Sequence, residues 1–552
     1  MVLQVSPHPR RTIPRRSSAT QTHSAFAFPS PQKGINTAQP LTAGSPLTAL
    51  RLENLIPRAL GCQMRRGFTR WTSNLDGEVR SLMKYQPALG VPKMFAATST
   101  GKIYNVTTAT LSGVTPAAVT TVTGGTPPGE WTSLNFVSQA GVHGLVCVNP
   151  GSGYWVYNGT TFTHVTMGAG VGQVGGVNPN LFTFVTVFKN RLWFIEGGST
   201  RAWYLPLGQF YGAAVSFDFG AMLPNGGELA ALINWTADGG GGQGSSTGGG
   251  TVNNQLVVVS DQGDVLVYGG DDASDPSLPE HVQGRWYVGR VPTGHRFFSL
   301  YGSDVIILSE RGMCFMSELM RGQGFFENVG TAQAINSALA VDIAASLDSR
   351  YWEVVFLPQE QLIIINRAEI NTENLQWVYE VNNRAFATLR SIPMLTVATF
   401  NGASYCGDLN GHVWWIFEGS TDGAVDDVPG LDLQAVCVTA FLPMGEGIRV
   451  KRFLMVRPSF ISSSAPGVQT RLNAEWNLGA PSSVPPYLGA GENLWDVATW
   501  DLATWDGEGQ SYEGWAGASG TGRYGSLAMR VRGAADTIFV GWQALVEQGG
   551  IL

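Results

Sequence analysis

The chain has 552 residues, a net charge of −7, only 14% charged residues, and 70 glycines with 17 tryptophans. That length exceeds one ordinary core and implies two or three domains, or one large repeat array with additions. The charge-poor, glycine- and aromatic-rich composition points to strands and turns, the 44% hydrophobic content excludes global disorder, and the acidic balance argues against an external nucleic-acid-binding face while leaving room for a wall past which DNA slides.

Residues 1–24 carry Arg10, Arg11, Arg15 and Arg16 with no apolar run before Ser30. This is not the pattern of a secretory signal, and it reads as a basic disordered arm. A docking arm for an acidic partner or DNA is the alternative. No segment of the chain approaches the 18 or so consecutive apolar residues of a membrane helix. Residues 25–75 form a separate N-terminal segment.

From residue 76 to 420 one pattern recurs: strand, tight polar turn, strand. It is seen at residues 94–106 (MFAATSTGKIYNV), 145–157 (LVCVNPGSGYWVY), 186–195 (TVFKNRLWFI), 255–268 (QLVVVSDQGDVLVY), 304–316 (DVIILSERGMCFM), 351–366 (YWEVVFLPQEQLIIIN) and 403–417 (ASYCGDLNGHVWWIF). Each has β-branched or aromatic arms around a Gly, Asn, Asp or Pro turn, which is the hairpin signal. The starts lie roughly 40 to 50 residues apart, the period of a propeller blade. A lone hairpin is marginal in water, and a four-stranded blade has two apolar faces that only neighbours can bury. The expected fold is therefore all-β: a β-propeller with additions. The stretch GGGGQGSSTGGG within 236–252 reads as a flexible loop inserted into a blade, because ordering glycine costs the most backbone entropy.

After residue 420 the strands lengthen: LDLQAVCVTAFL, RVKRFLMVRP, then two more near the end. Residues 421–552 read as a C-terminal β-sandwich-like domain.

Motifs that carry chemistry are scarce. The seven histidines are scattered with no ligand spacing, and HExxH is absent. The glycine-rich stretch lacks the Gly-Lys-Ser/Thr ending of a phosphate loop. Cys62, Cys147, Cys314, Cys406 and Cys437 lack zinc spacing and read as buried free thiols, which fits assembly in a reducing cytoplasm. The acidic groups Asp271, Asp272, Asp275 and Asp426, Asp427 sit beside prolines and read as solvated turns before calcium ligands. Asp408, Asn410 and Gly411 make a hairpin turn and not a full EF-hand loop. The run LWDVATWDLATWDG places Trp-Asp pairs at 495–496, 500–501 and 505–506, a spacing unlike the one-per-blade signature of WD40 propellers. Packing or a subunit contact is the first reading of this run, and a sugar-binding platform the second. No catalytic, metal-binding or cofactor-binding residue is assigned.

Two terminal stretches carry a resemblance. Pro31, Gly34, Asn36, Thr37, Pro40, Leu41, Ala49, Leu50, Asn54, Pro57, Arg65 or Arg66, and Gly67 match the opening pattern of a large family of tailed-bacteriophage structural proteins. Glu547, Gly549, Gly550 and Leu552 match its terminal Glu-x-Gly-Gly-x-Leu. The chain thus resembles the tail nozzle, or tail tubular, proteins of short-tailed phages. The resemblance implies a propeller of about six blades, a number that leans on it and not on the hairpin count, with a platform built by the terminal segments. It also implies a homohexameric ring below the portal and adaptor (head–tail connector) protein, and a lumen that passes genomic DNA without sequence-specific contact. Anchored tail fibre or tail-tip proteins, virion localisation and no enzyme activity, cofactor or metal follow from the same source. Two rivals are a carbohydrate-recognising tail-tip protein and a propeller enzyme. For the latter, DLNGHVW at 408–414 is similar to the blade turn of quinone-binding propellers, with only a loose echo at Asp261–Asp264.

Overall fold

The computed structural model describes residues 23–551 apart from 111–113, 126, 237–253, 270–281, 322–332, 368–373, 427 and 484–508. The arm 1–22, nearly all of the glycine-rich insertion, the group Asp271, Asp272 and Asp275, the residue Asp427 and the Trp-Asp run lie outside the described residues.

The recurring hairpins are blade elements, one to each blade. Residues 79–121, 132–164, 182–218 and 229–287 each fold as a four-stranded antiparallel sheet in sequential order. Residues 298–315 form a three-stranded sheet, and the helices Met316–Met320 and Gln333–Ala345 pack against its strands. Residues 353–389 form the next four-stranded unit. The last consists of Thr396–Phe400, Ala403–Gly407 and Val413–Ile416, completed by Phe68–Thr72 from the N-terminal segment, with Trp415 opposite Thr69 and Ile416 opposite Phe68.

The first strand of each unit is the innermost. Val79–Tyr85 touches Thr132–Val137, which touches Phe182–Phe188, which touches Leu229–Thr236; that strand meets Asp304–Ser309 of the fifth unit, whose first strand Phe298–Tyr301 touches Glu353–Leu357, which touches Thr396–Phe400, and this returns to Val79–Tyr85. The ring is closed, and the fold is an all-β propeller. It has seven blades, not about six. The seven hairpins were the correct count; the smaller number came from the resemblance. The apolar logic is visible in the cores. Blade 1 residues Phe95 and Ile103 pack with blade 2 residues Leu145 and Tyr157, and Val146 and Val156 on the other blade 2 face pack with Phe182 and Phe194 of blade 3.

The chain ends build a second body. In one sheet, Ile538–Ile551 is central, paired with Arg449–Ser462 on one side and with His23–Pro29 and Cys62–Met64 on the other. A second run places Ala49–Glu53, Leu431–Thr439, Gly525–Gly533 and Gly467–Ala474 side by side. Leu433, Cys437, Met529 and Val531 from this run share one apolar cluster with Phe453, Phe539, Trp542 and Val546 from the other. The segments are therefore interleaved. Residues 25–75 supply strands to the C-terminal sheets and also the closing strand of blade 7. The platform joins the propeller directly, through the parallel pairing of Glu53 with Thr388 of blade 6.

Candidate functional site: the propeller axis and the platform junction

Inner strands converge on the propeller axis, so polar side chains at their starts meet regardless of sequence distance. Arg296 lies just before blade 5 and reaches across that axis. Its Nη1 donates to the carbonyl of Arg80 at 2.8 Å and to Thr396 Oγ1 at 3.1 Å. Its Nη2 donates to Ser81 Oγ at 2.5 Å and to the Trp131 carbonyl at 3.4 Å. Glu353, at the start of blade 6, lies 3.7 Å away. One guanidinium thus ties blade 5 to blades 1, 6 and 7 and to the entry of blade 2. Glu353 in turn accepts from Val397 N at 3.0 Å and from Thr396 Oγ1 at 3.3 Å. Burial raises the Glu353 carboxyl above its ordinary value, and Arg296 opposes that rise. Glu130 is raised by burial in the same way, and Arg296, Arg350 and Arg80 pull against it.

Beside the axis lies a cleft of about 240 Å³ lined by Glu228, Asp261, Arg290, His295 and Arg350 with glycine backbone at 197, 198 and 294. His295 Nδ1 is 2.6 Å from the Ala230 carbonyl, which makes Nδ1 the protonated nitrogen of the neutral ring. Desolvation, with Arg350 and Arg296 nearby, lowers its pKa to about 4. A depressed histidine contributes stability that is complete above its unfolded pKa near 6.5 and is lost as pH falls towards 4. Equilibrium unfolding of wild type and His295→Asn at pH 7 and pH 4.5 is expected to show a wild-type loss on the order of 2 kcal/mol that the variant lacks. The raised carboxyls Glu130 and Glu353 act with the opposite sign and are common to both proteins, so the difference isolates the histidine.

The residues of the terminal pattern sit at the platform–propeller junction. Arg65 is 1% exposed. All five guanidinium N–H groups are used: Nε to Asn54 Oδ1 (3.0 Å), Nη1 to Arg66 O (2.9 Å) and Asp422 Oδ1 (2.6 Å), and Nη2 to Arg390 O (3.1 Å) and Asp422 Oδ2 (2.6 Å). Arg66 is exposed, so Arg65 is the buried member of the pair. Asn54 has φ 57° and also accepts from Arg390 N while donating to Gln434 O. Gly67 runs so close to Thr421 that a Cβ would stand 1.9 Å from its carbonyl oxygen. At Gly34, φ is +71° and a Cβ would meet the Phe386 oxygen at 2.2 Å.

Asp408 is a saturated turn residue. Its carboxylate accepts from Asn410 N, His412 N, His412 Nδ1 and Trp414 Nε1, all at 2.8–2.9 Å. Those bonds explain DLNGHVW as hairpin chemistry. Asp426 pairs with Arg70 at 3.4 Å. Asp261 accepts from Glu228 N and Gln262 Nε2. Among the described residues no group of three His, Cys, Asp or Glu side chains is placed to hold a metal ion, and no helix is long and apolar enough to cross a membrane. All five cysteines are buried and free. Sequence reasoning missed Arg296, Glu353 and His295, whose partners lie 43 to 216 residues away.

No family model matches the chain, and no curated protein matches it. Among solved structures it is similar to the computationally designed Ika8 protein (11% identity over 63% of this chain and 99% of that one, TM-score 0.34). It is also similar to BBS1N in complex with ARL6DN (13% identity, 58% and 90%, TM-score 0.32) and to YCF48 bound to D1 peptide (8% identity, 65% and 98%, TM-score 0.36).

Proposed function

We propose that the chain is a structural protein of a bacteriophage tail: one copy of a homohexameric nozzle ring below the portal and adaptor, through which DNA is ejected and to which tail fibres attach. One observation carries the reading. The two stretches that bear the resemblance belong to one construction, in which His23–Pro29 pairs antiparallel with the chain's last strand, from Glu547 back to Gly541, while Asn54 and Arg65 lock the same body to Asp422. A platform built from both chain ends and fixed rigidly to a propeller suits a ring subunit, because ring contacts need surfaces that do not shift. In this reading the protein is virion-located, is assembled in the host cytoplasm and acts mechanically without a catalytic residue. Arg296 occupies the propeller axis, so the DNA path of this reading runs between subunits and not along a propeller bore. Negative-stain microscopy of the full chain, alone and mixed with its portal–adaptor complex, is expected to show six-fold rings. A monomer under both conditions removes the reading.

A further inference from the structure

One face of the platform sheet is coated with arginine. Alternation sends Leu433, Ala435, Cys437, Leu527, Met529, Val531 and Leu472 into the core, which leaves the intervening residues on the opposite face. Register then sets out that face in rows. Arg51 stands opposite Val438, which faces Ala528, which faces Arg471. In the next row Glu53 stands opposite Val436, which faces Arg530, which faces Gln469. In the third, Gln434 faces Arg532. With strands about 4.8 Å apart and alternate residues about 6.8 Å apart, the patch measures roughly 14 Å each way. Arg390 joins it by pairing with Glu53 at 2.8 Å.

The charges do not cancel. Glu53 holds Arg51 and Arg390, and Asp432 lies 3.7 Å from Arg532. Arg530 and Arg471 have no ion-pair or hydrogen-bond partner among the described residues, and the Nε atoms of Arg530 and Arg532 are buried without one. Among the described residues, five arginines against two carboxylates give a local excess of positive charge on a chain whose total is −7. Val436 and Val438 are 7% and 4% exposed, as expected where arginine stems lie over them.

We infer that this face binds the phosphate backbone of nucleic acid. Arginine forks match phosphate oxygens two at a time. The composition favours nucleic acid over an acidic protein. Protein interfaces centre on apolar or aromatic anchors and deplete charge at their core, whereas protein–DNA interfaces are polar and strongly positive throughout. No aromatic side chain stands in these rows, so the contact is with backbone and carries no base preference. The inference does not need ring assembly: a monomer that binds DNA keeps it while removing the nozzle reading.

The test uses the full chain, a fluorescent 20-base-pair duplex of arbitrary sequence and anisotropy at several salt concentrations. Wild type is expected to bind with an affinity that falls steeply with salt. Arg530→Gln/Arg532→Gln is expected to weaken binding about tenfold and to reduce the log–log salt slope by about 2. The lysine double variant, folded and still cationic, is expected to retain most of the binding. Absence of binding at about 50 mM salt, where phosphate contacts are strong, overturns the inference. So does an unchanged affinity in the glutamine variant. Displacement of the duplex by poly-glutamate at equal charge concentration also overturns it and assigns the face to an acidic polypeptide.

Discussion

Arg296→Ala is expected to cost about 4 kcal/mol of folding stability, the range found when one partner of a buried ion pair is removed. The loss has three parts. Glu353, packed at the blade 6 entry, loses the counter-ion that opposes the burial-driven rise of its pKa. Ser81 Oγ, Thr396 Oγ1 and the carbonyls of Arg80 and Trp131 lose a charged donor. The entries of five blades lose their common tie. Glu353→Gln on top of Arg296→Ala removes the stranded charge, so the double variant is expected to regain more than 1 kcal/mol over the single one. Urea unfolding of the four proteins of this cycle measures the coupling. An additive cycle would mean that the axial charges do not interact. Arg296→Lys is not expected to rescue, because one ammonium cannot address four acceptors on different blades.

Arg65→Met is expected to lose about 3 to 5 kcal/mol and to loosen the platform from the propeller. The substitution preserves much of the volume but leaves Asp422 without its two 2.6 Å contacts and the Arg390 carbonyl without its donor, and takes from Asn54 Oδ1 one of its two donors, Arg390 N remaining. Hydrogen exchange distinguishes this from global softening. Amides of Leu431–Thr439 and Phe68–Thr72, which flank the joint, are expected to lose protection before those of blades 2 and 3. Equal loss everywhere would show that the joint is not a separate unit. Arg66→Met, whose side chain is exposed, serves as the neutral control.

Local chemistry explains what could be read in advance. The seven hairpins were legible because a β-turn and its two arms are contiguous: SDQGDVLV and DLNGHVWW each contain their own turn acceptors, Ser260 and Asp408 among them. The extra C-terminal strands were legible from their length. The seven blades of the ring exceed the six that the resemblance implies, because each contiguous hairpin heads a sheet of its own. The closing strand Phe68–Thr72 was not legible: five residues of mixed polarity carry no mark of a partner some 340 positions later. The axial site was invisible for a related reason. Arg296 sits in GHRFFS with no motif around it, and only the ring brings Arg80, Trp131, Glu353 and Thr396 to it. The arginine face escaped because a net acidic total conceals a local excess, and because Arg51, Arg390, Arg471, Arg530 and Arg532 come from distant strands. For the quinone echo the structure supplies a local cause, the saturation of Asp408 by its own hairpin.

The strand that completes blade 7 also sets a timetable. Phe68–Thr72 leaves the ribosome early, and its neighbour Val413–Ile416 follows roughly 340 residues later. At synthesis rates of about 5 to 20 residues per second, that interval is roughly 20 to 70 seconds. His23–Pro29 waits longer still, because its partner Gly541–Glu547 follows it by more than 500 residues. During translation the first blades can stack one upon another, yet the nascent chain must carry two unpaired strands of exposed backbone donors and acceptors, one until Val413–Ile416 emerges and the other until Gly541–Glu547 does. Such a molecule has a long window for strand exchange between nascent neighbours, and its yield in the cell is expected to depend on elongation rate and on chaperones that cover extended segments.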